Sequence, residues 1–290
     1  MAFHRLWVGV MVFLFSFAAQ AASPLKVMTF NTMCDVCNGF RGFTRFNDRL
    51  DQIADTILRH DPDLIGLQEV RTRNQVRRIQ NRLKGKYVAV FSKGFPLSYA
   101  DPVQLVRKSR FKIGKKRGGW LGPKFPDFSF GWSTKIPRRM QSLELTDAHS
   151  GEGLLFVSAH FDNGFTNKGA SAELLAKWAM EPGLPVIFAG DTNIKPNWSG
   201  YTTLTGAFRD TFHEVESIDY VANQPYTNSD GCNLNKGKTF PNCRVDHVLL
   251  SPSAPWRARS WGVDVYRYGK KRAFVSDHRA VIVELEPINP

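Results

Sequence analysis

Carboxylates, amides and imidazoles recur in six short clusters, each lying against an apolar run: Phe30-Asn31, Gln68-Glu69, His160-Phe161-Asp162, Gly190-Asp191-Thr192-Asn193, Asp246-His247 and Ser276-Asp277-His278. One such cluster carries little information. Six of them, brought to one place, would form a site for a hard divalent cation beside an esterified phosphate.

Hydrolysing a phosphate ester requires that its oxygens be neutralised, a water be held in line, that water's proton be removed and the leaving oxygen be stabilised. Mg²⁺ takes few protein ligands because it keeps several waters. Glu69 follows the run Leu64-Ile65-Gly66-Leu67, where a charge needs a reason, so it is the first candidate ligand, with the amide oxygen of Asn31 and with Asp277. His160 and Asp162 are two apart on an extended segment and so share a face. Imidazole suits softer metals than magnesium, which points His160 at a phosphate oxygen. Asp191, after the turn that Gly190 permits, is placed to orient or deprotonate the water, and Asn193 to hold a phosphate oxygen. Adjacent residues of a strand face opposite ways, so Asp277 and His278 serve one site only if the backbone turns there. Asp246 would orient His278 and favour its charged form. Each residue also has an ordinary structural reading: an Asx turn for Asp191 and Asn193, a core histidine for His160.

The elements that must position these groups follow from periodicity. Leu25 to Thr29, Leu64 to Leu67, Tyr87 to Phe91, Leu154 to Ala159 and Pro185 to Ala189 read as strands. Phe46, Leu50, Ile53, Ala54, Ile57 and Leu58 recur at helical spacing before Pro62, and Val76, Ile79 and Leu83 mark a second helix. Val103 to Val106 and Phe111 to Ile113 suggest a hairpin, Gly118 to Trp132 an aromatic loop, and Ala170 to Met180 a third helix. Strands outnumber helices, which suits two packed mixed sheets with helices outside. No G-x-G-x-x-G follows the first strand, which argues against a dinucleotide fold.

Arg5, the apolar stretch Leu6 to Phe17 and Ala19-Gln20-Ala21 have the form of a secretory leader, so residues 1–21 are expected to be a signal peptide, and 22–290 one catalytic domain exported to a periplasm or the medium. The stretch is shorter than the roughly 20 residues of a membrane span, and no integral membrane segment is expected elsewhere. The formal charge is +13. Arg71 to Lys86 and Arg107 to Arg117 each carry seven cations and no acid, and Lys135, Arg138 and Arg139 follow. Such runs favour a polyanion, with Arg77, Arg78 and Arg107 touching it. Cys34, Cys37, Cys232 and Cys243 allow three disulfide pairings. In one of them Cys34 pairs with Cys37 and Cys232 with Cys243, and both bonds would brace loops beside the clusters.

The motifs Thr29-Phe30-Asn31, Gly66-Leu67-Gln68-Glu69, Ser158 to Asp162, Ala189 to Asn193, Val245 to Val248 and Ser276-Asp277-His278 resemble, in order and spacing, those of the endonuclease/exonuclease/phosphatase superfamily. The resemblance covers roughly Leu25 to Glu286. It implies a deoxyribonuclease I-like four-layer α/β/β/α sandwich, two mixed sheets flanked by helices, with its site at one edge. It also implies dependence on Mg²⁺ or Mn²⁺, with Ca²⁺ open as a second ion, and hydrolysis without a covalent intermediate. By that resemblance Asn31, Glu69 and Asp277 lie at the metal, and His160, Asp191, Asn193, Asp246 and His278 are catalytic. Arg107 and Asp162 would touch substrate. One departure is Val106, where related exported members often carry a tyrosine; Tyr99 is nearby. His247 is read as structural or substrate-facing. The basic runs favour a nucleic-acid substrate, DNA or RNA, over a sphingomyelinase-like lipid diester or an inositol phosphate-type monoester. No protein partner is inferred, and oligomeric state stays open.

Overall fold

The computed structural model describes residues 22–37, 45–92, 100–133, 136–215, 227, 244–270 and 273–288. The expected leader, Tyr99, Lys135, Cys232 and Cys243 lie outside the described residues. The chain forms β1 (Leu25–Asn31), α1 (Leu50–His60), β2 (Leu64–Gln68), α2 (Arg73–Arg82), β3 (Tyr87–Phe91) and β4 (Val103–Arg107). There follow β5 (Phe111–Trp120), β6 (Arg139–Asp147), β7 (Gly153–Ala159), α3 (Phe165–Trp178), β8 (Val186–Asp191) and α4 (Ser199–Ala207). The last elements are β9 (Arg209–Asp210), β10 (Asp246–Leu250), β11 (Trp256–Val263) and β12 (Val281–Pro287).

The strands form two sheets, ordered β11-β12-β1-β2-β4-β3 and β5-β6-β7-β8-β10-β9. Both are mixed: β1 runs parallel to β2 and β7 to β8, among antiparallel neighbours. Because side chains alternate along a strand, each sheet feeds two cores. Val27 and Val106 of the first sheet meet Phe156, Ile187 and Val248 of the second between the sheets. Met28 and Ile65 face outward onto Ile53, Ile57 and Ile79 of α1 and α2. Val157 and Phe188 face outward onto Ala172, Leu175 and Leu204 of α3 and α4. This is the four-layer α/β/β/α sandwich expected. Burial on both faces explains why the strands read as continuous apolar runs rather than alternating ones.

Local signals bound the first two helices, the first ending before Pro62 as expected. Asp61 closes α1 in the left-handed conformation, its N–H on Ile57 O, just before Pro62. Thr72 and Gln75 form a capping box at the start of α2.

Two expectations are corrected. β4 and β5 are not a hairpin: β4 pairs with β2 and β3, whereas β5 pairs with β6 in the other sheet. The turn between them crosses the sandwich, and buried Arg110 fastens it by donating to Asp63 (2.8 Å) and Asp147 (2.9 Å), one carboxylate from each sheet's side. The supposed loop from Gly118 is also strand as far as Trp120, because β6 continues to pair with it. Most of the remaining loop aromatics pack inward: Trp120 meets Phe128 edge-on and Phe125 meets Trp178, leaving Phe130 exposed.

Candidate active site

Strand pairing gathers the polar clusters at one end of the sandwich. Asn31 and Gln68 are register partners at the ends of β1 and β2, and Glu69 comes next. Asp191 ends β8, bridges to His160 just after β7, and pairs with Asp246 at the start of β10. Asp277 and His278 precede β12, which runs antiparallel to β1 and therefore begins where β1 ends. Glu69 (φ +65°) and Asn193 (φ +53°) both hold left-handed backbone, uncommon without glycine and frequent at functional sites.

Asp191 is the hub between the sheets. One of its carboxylate oxygens lies 2.9 Å from Asn31 Nδ2, 3.5 Å from His160 Nε2 and 3.9 Å from His278 Nδ1. The other accepts the Asn193 N–H at 2.8 Å. Each histidine has its own carboxylate: His278 Nδ1 lies 2.8 Å from Asp246 and His160 Nδ1 2.7 Å from Asp101. Burial opposes charge on His278, but Asp246 and Asp191 outweigh it and lift its pKa to about 9. Burial likewise opposes charge on Asp191, and the fields of His278 and His160 overcome it, holding that carboxyl below the usual range.

Glu69 lies beside this hub. Its Oε1 shares Asn31 Nδ2 with Asp191, at 3.3 Å, and its Oε2 accepts the Cys34 N–H. Cys34 and Cys37 are joined by a disulfide, one of the pairings open at the level of sequence, so their sulfurs are not metal ligands although they lie near Glu69. Ser276 Oγ lies 2.7 Å from Asn31 O and 3.2 Å from Asp277 Oδ1, tying Asp277 to the same strand end. Buried Arg49 clamps the surrounding loops by donating to Thr32 O, Met33 O and Val275 O. Burial lowers its pKa to about 10, with Glu69 acting in the other direction.

An acidic site able to hold a metal is present. Ligand atoms of Asp191, Asp246 and His278 lie within 4.8 Å of one another, and buried Asp246 Oδ1 has no hydrogen-bond partner among the described residues. Nδ1 of His278 is already committed to Asp246. The carboxylates of Glu69 and Asp277 supply hard oxygen donors of the kind a small divalent ion takes. Asn31, expected as an oxygen ligand, instead turns its Nδ2 to Glu69 and Asp191, and its Oδ1 accepts the Met33 N–H at 3.0 Å.

Other expected residues are placed elsewhere. Asp162 accepts from Asn167 Nδ2 of α3 at 2.6 Å through one carboxylate oxygen, and its buried Oδ1 has no hydrogen-bond partner among the described residues. Arg107 sits at the opposite end of β4, beside the start of β2, bonded to Asp63 (2.8 Å) and the Pro62 carbonyl (2.9 Å). Val106 is buried at the same far end, so the departure noted there does not touch the site. Arg77 and Arg78 project from the outer side of α2, bonded to Asn74 and Asn47. His247 is fully buried against Ile194 O, a structural histidine.

Sequence reasoning missed Asp101, Arg138 and Arg49. Arg138 Nη1 lies 2.9 Å from His160 Nδ1 and 3.7 Å from Asp101. Asp101 had a readable signal, a carboxylate just before the apolar run Val103 to Val106, as Asp246 stands before Val248 to Leu250. Arg49 gave none, because its role depends on carbonyls distant in sequence.

The sequence profile of the endonuclease/exonuclease/phosphatase family matches residues 28–278. No curated protein matches the chain. The chain is 26% identical to a family protein of Bacteroides thetaiotaomicron of solved structure, with a TM-score of 0.78 over 92% of this chain and 99% of that one. A mannosyl-6-phosphatase of the same organism is also 26% identical, with a TM-score of 0.74 over 90% and 99%. D. rerio TDP2, solved with a single-strand DNA product, shares the fold at 20% identity and a TM-score of 0.66 over 91% and 100%. By this match and by its fold, the chain belongs to the endonuclease/exonuclease/phosphatase family.

Proposed function

We propose that this chain hydrolyses a nucleic-acid phosphodiester by direct attack of water on phosphorus, using a divalent ion. Phosphoesterase chemistry and divalent-metal dependence belong to the family. The observation that carries the reaction is Asp191, set between two carboxylate-paired imidazoles and on the same amide nitrogen as Glu69.

Asp191, kept ionised, orients the attacking water and receives its proton as the new O–P bond forms. His278, with Nδ1 on Asp246, stays protonated through neutral pH and offers Nε2–H to a phosphate oxygen. His160, fixed by Asp101, presents its Nε2 to the same group. Asn193 spends one amide hydrogen on Phe161 O (2.9 Å), leaving the second for phosphate. As the bond from phosphorus to the leaving oxygen breaks, these donors stabilise the charge that oxygen carries away. A divalent ion held by the Glu69 and Asp277 carboxylates would polarise the phosphate oxygens and neutralise their charge, with Asn31 positioning Glu69 through Nδ2.

The polyanion part of the reading rests on the +13 charge and on exposed lysines along β5, an edge strand. A second reading has its own support. Arg77, Arg78 and Arg107 lie away from the cluster, and one 26% identical structure is a mannosyl-6-phosphatase, which favours a compact phosphomonoester. The inward packing of Trp120 and Phe125 speaks against a bilayer-dipping loop. Plasmid nicking and RNA hydrolysis in Mg²⁺, Mn²⁺, Ca²⁺ and EDTA test the first reading, and phosphate release from sugar phosphates tests the second. DNA and RNA left intact in all three metals would sink the nuclease assignment. Export is part of the proposal, and recovery of the chain only from the cytoplasmic fraction would remove it.

A further inference from the structure

An aromatic ring stands in solvent at the start of α3, linked to Asn193 through Trp198 and Lys168. Phe165 opens α3 directly after the His160 to Asp162 segment and is 70% exposed; among the described large apolar side chains none is more so. Its ring meets Trp198 edge-on, with centroids 6.4 Å apart and planes at 65°, which leaves a Phe165 face open. Trp198 is itself held. Lys168 Nζ sits 4.1 Å from its ring centroid and donates to Asn193 O at 3.0 Å, and Lys195 Nζ lies 5.5 Å from the same centroid. Lys168 is only 6% exposed. Burying an ammonium is costly, and here burial pushes its pKa down to about 8 while Asp191 and Asp162 act in the other direction. The lysine therefore ties the aromatic pair rigidly to the Asn193 backbone, beside Asp191.

We propose that Phe165 is a stacking platform for the nucleobase next to the scissile phosphate, with Trp198 as its buttress and Lys168 as the strut joining it to the reaction centre. The inference rests on the nuclease reading and adds to it a binding subsite and a substrate feature. An aromatic face stacks on any base without reading its edge, so this platform confers a demand for a flat ring rather than for a sequence. It also places single-stranded or unpaired nucleic acid ahead of a closed duplex, whose bases already stack on each other.

The test compares kcat/KM on an oligothymidylate with that on an abasic deoxyribose-phosphate oligomer of equal length. Phe165→Ala should lose roughly 5- to 150-fold on the thymidylate and nothing on the abasic chain, and Phe165→Trp should restore the loss. Because Phe165 is exposed, an unchanged Tm is expected and separates stacking from folding. If Phe165→Ala and Trp198→Phe cleave both oligomers as wild type does, or lose equally on both, the platform is refuted while the nuclease reading stands. If wild-type enzyme cleaves neither these oligomers nor an oligouridylate of equal length, the nuclease reading falls and the platform with it.

Discussion

The chemistry of single residues turns on one carboxylate serving two imidazoles. Asp191 accepts Asn31 and Asn193 and lies near both His160 and His278. His160→Ala and His278→Ala should each lose at least about 100-fold in kcat, the scale of a positioned proton donor, with circular dichroism unchanged. The pH dependence has a definite sign. The folded pKa of His278, about 9, lies above its unfolded value near 6.5. Its imidazolium therefore stabilises the metal-free protein fully below about pH 6.5, and that contribution, on the order of 3 kcal/mol, is lost as pH rises through 9. Denaturant midpoints in EDTA should fall over that window, and Asp246→Asn should shift the fall toward neutral pH. A flat profile between pH 6.5 and 9.5 would contradict the pairing. The Cys34–Cys37 disulfide steadies the loop whose Cys34 N–H holds Glu69. Replacing both cysteines by serine should weaken Mg²⁺ activation about 10- to 100-fold, as removing a partner behind a ligand does.

Single elements carry these groups only because the sheets approach closely behind them. A Cβ on Gly66 of β2 would lie 2.4 Å from Ala189 O and 2.6 Å from Ser158 Oγ across the sandwich. Gly66→Ala should therefore cost about 1–3 kcal/mol and displace Glu69 at the end of the same strand, a loss visible in both Tm and activity. Arg107→Ala should behave in the opposite way. It removes half-buried bonds to Asp63 and the Pro62 carbonyl, so about 1–3 kcal/mol of stability should go while kcat on a small diester stays at the wild-type level. Reduced kcat in that variant would return Arg107 to the site. The apolar periods that made these elements legible were local: Ile53 to Ile57 in α1, Leu64 to Leu67 in β2. The supposed β4–β5 hairpin misled because two apolar runs with a short polar turn look the same whether they pair or part. They part because β4 pairs with β2 and β3 and β5 with β6, and the Asp63–Arg110–Asp147 bridge fastens the crossing between them.

Over the whole molecule, the exposed basic residues and the candidate site occupy different places. Lys108, Lys112 and Lys115 are exposed along the turn into β5 and on it, and among the described residues none is paired with a carboxylate. Lysines on an edge strand also discourage another strand from adding there. If they grip nucleic acid, replacing all three by glutamine should flatten the dependence of log K on log salt by about 0.7 for each phosphate that is no longer neutralised, with hydrolysis of a small diester unchanged. An unaltered slope would assign these lysines to edge protection alone. Residue types and their order along the chain were enough to single out most of the polar groups that meet at one end of the sandwich, because carboxylates and histidines at the ends of apolar runs conflict with burial unless they have a use. The sequence was also enough for the layered architecture, since strands buried on both faces require helices outside and a second sheet within. Partnership was decided only in three dimensions. Asp101 joined His160, Asp162 met Asn167 of α3, Arg107 went to the far end, and Phe165 stood open against Trp198, because strand register and the crossing between sheets set distances that spacing along the chain does not contain.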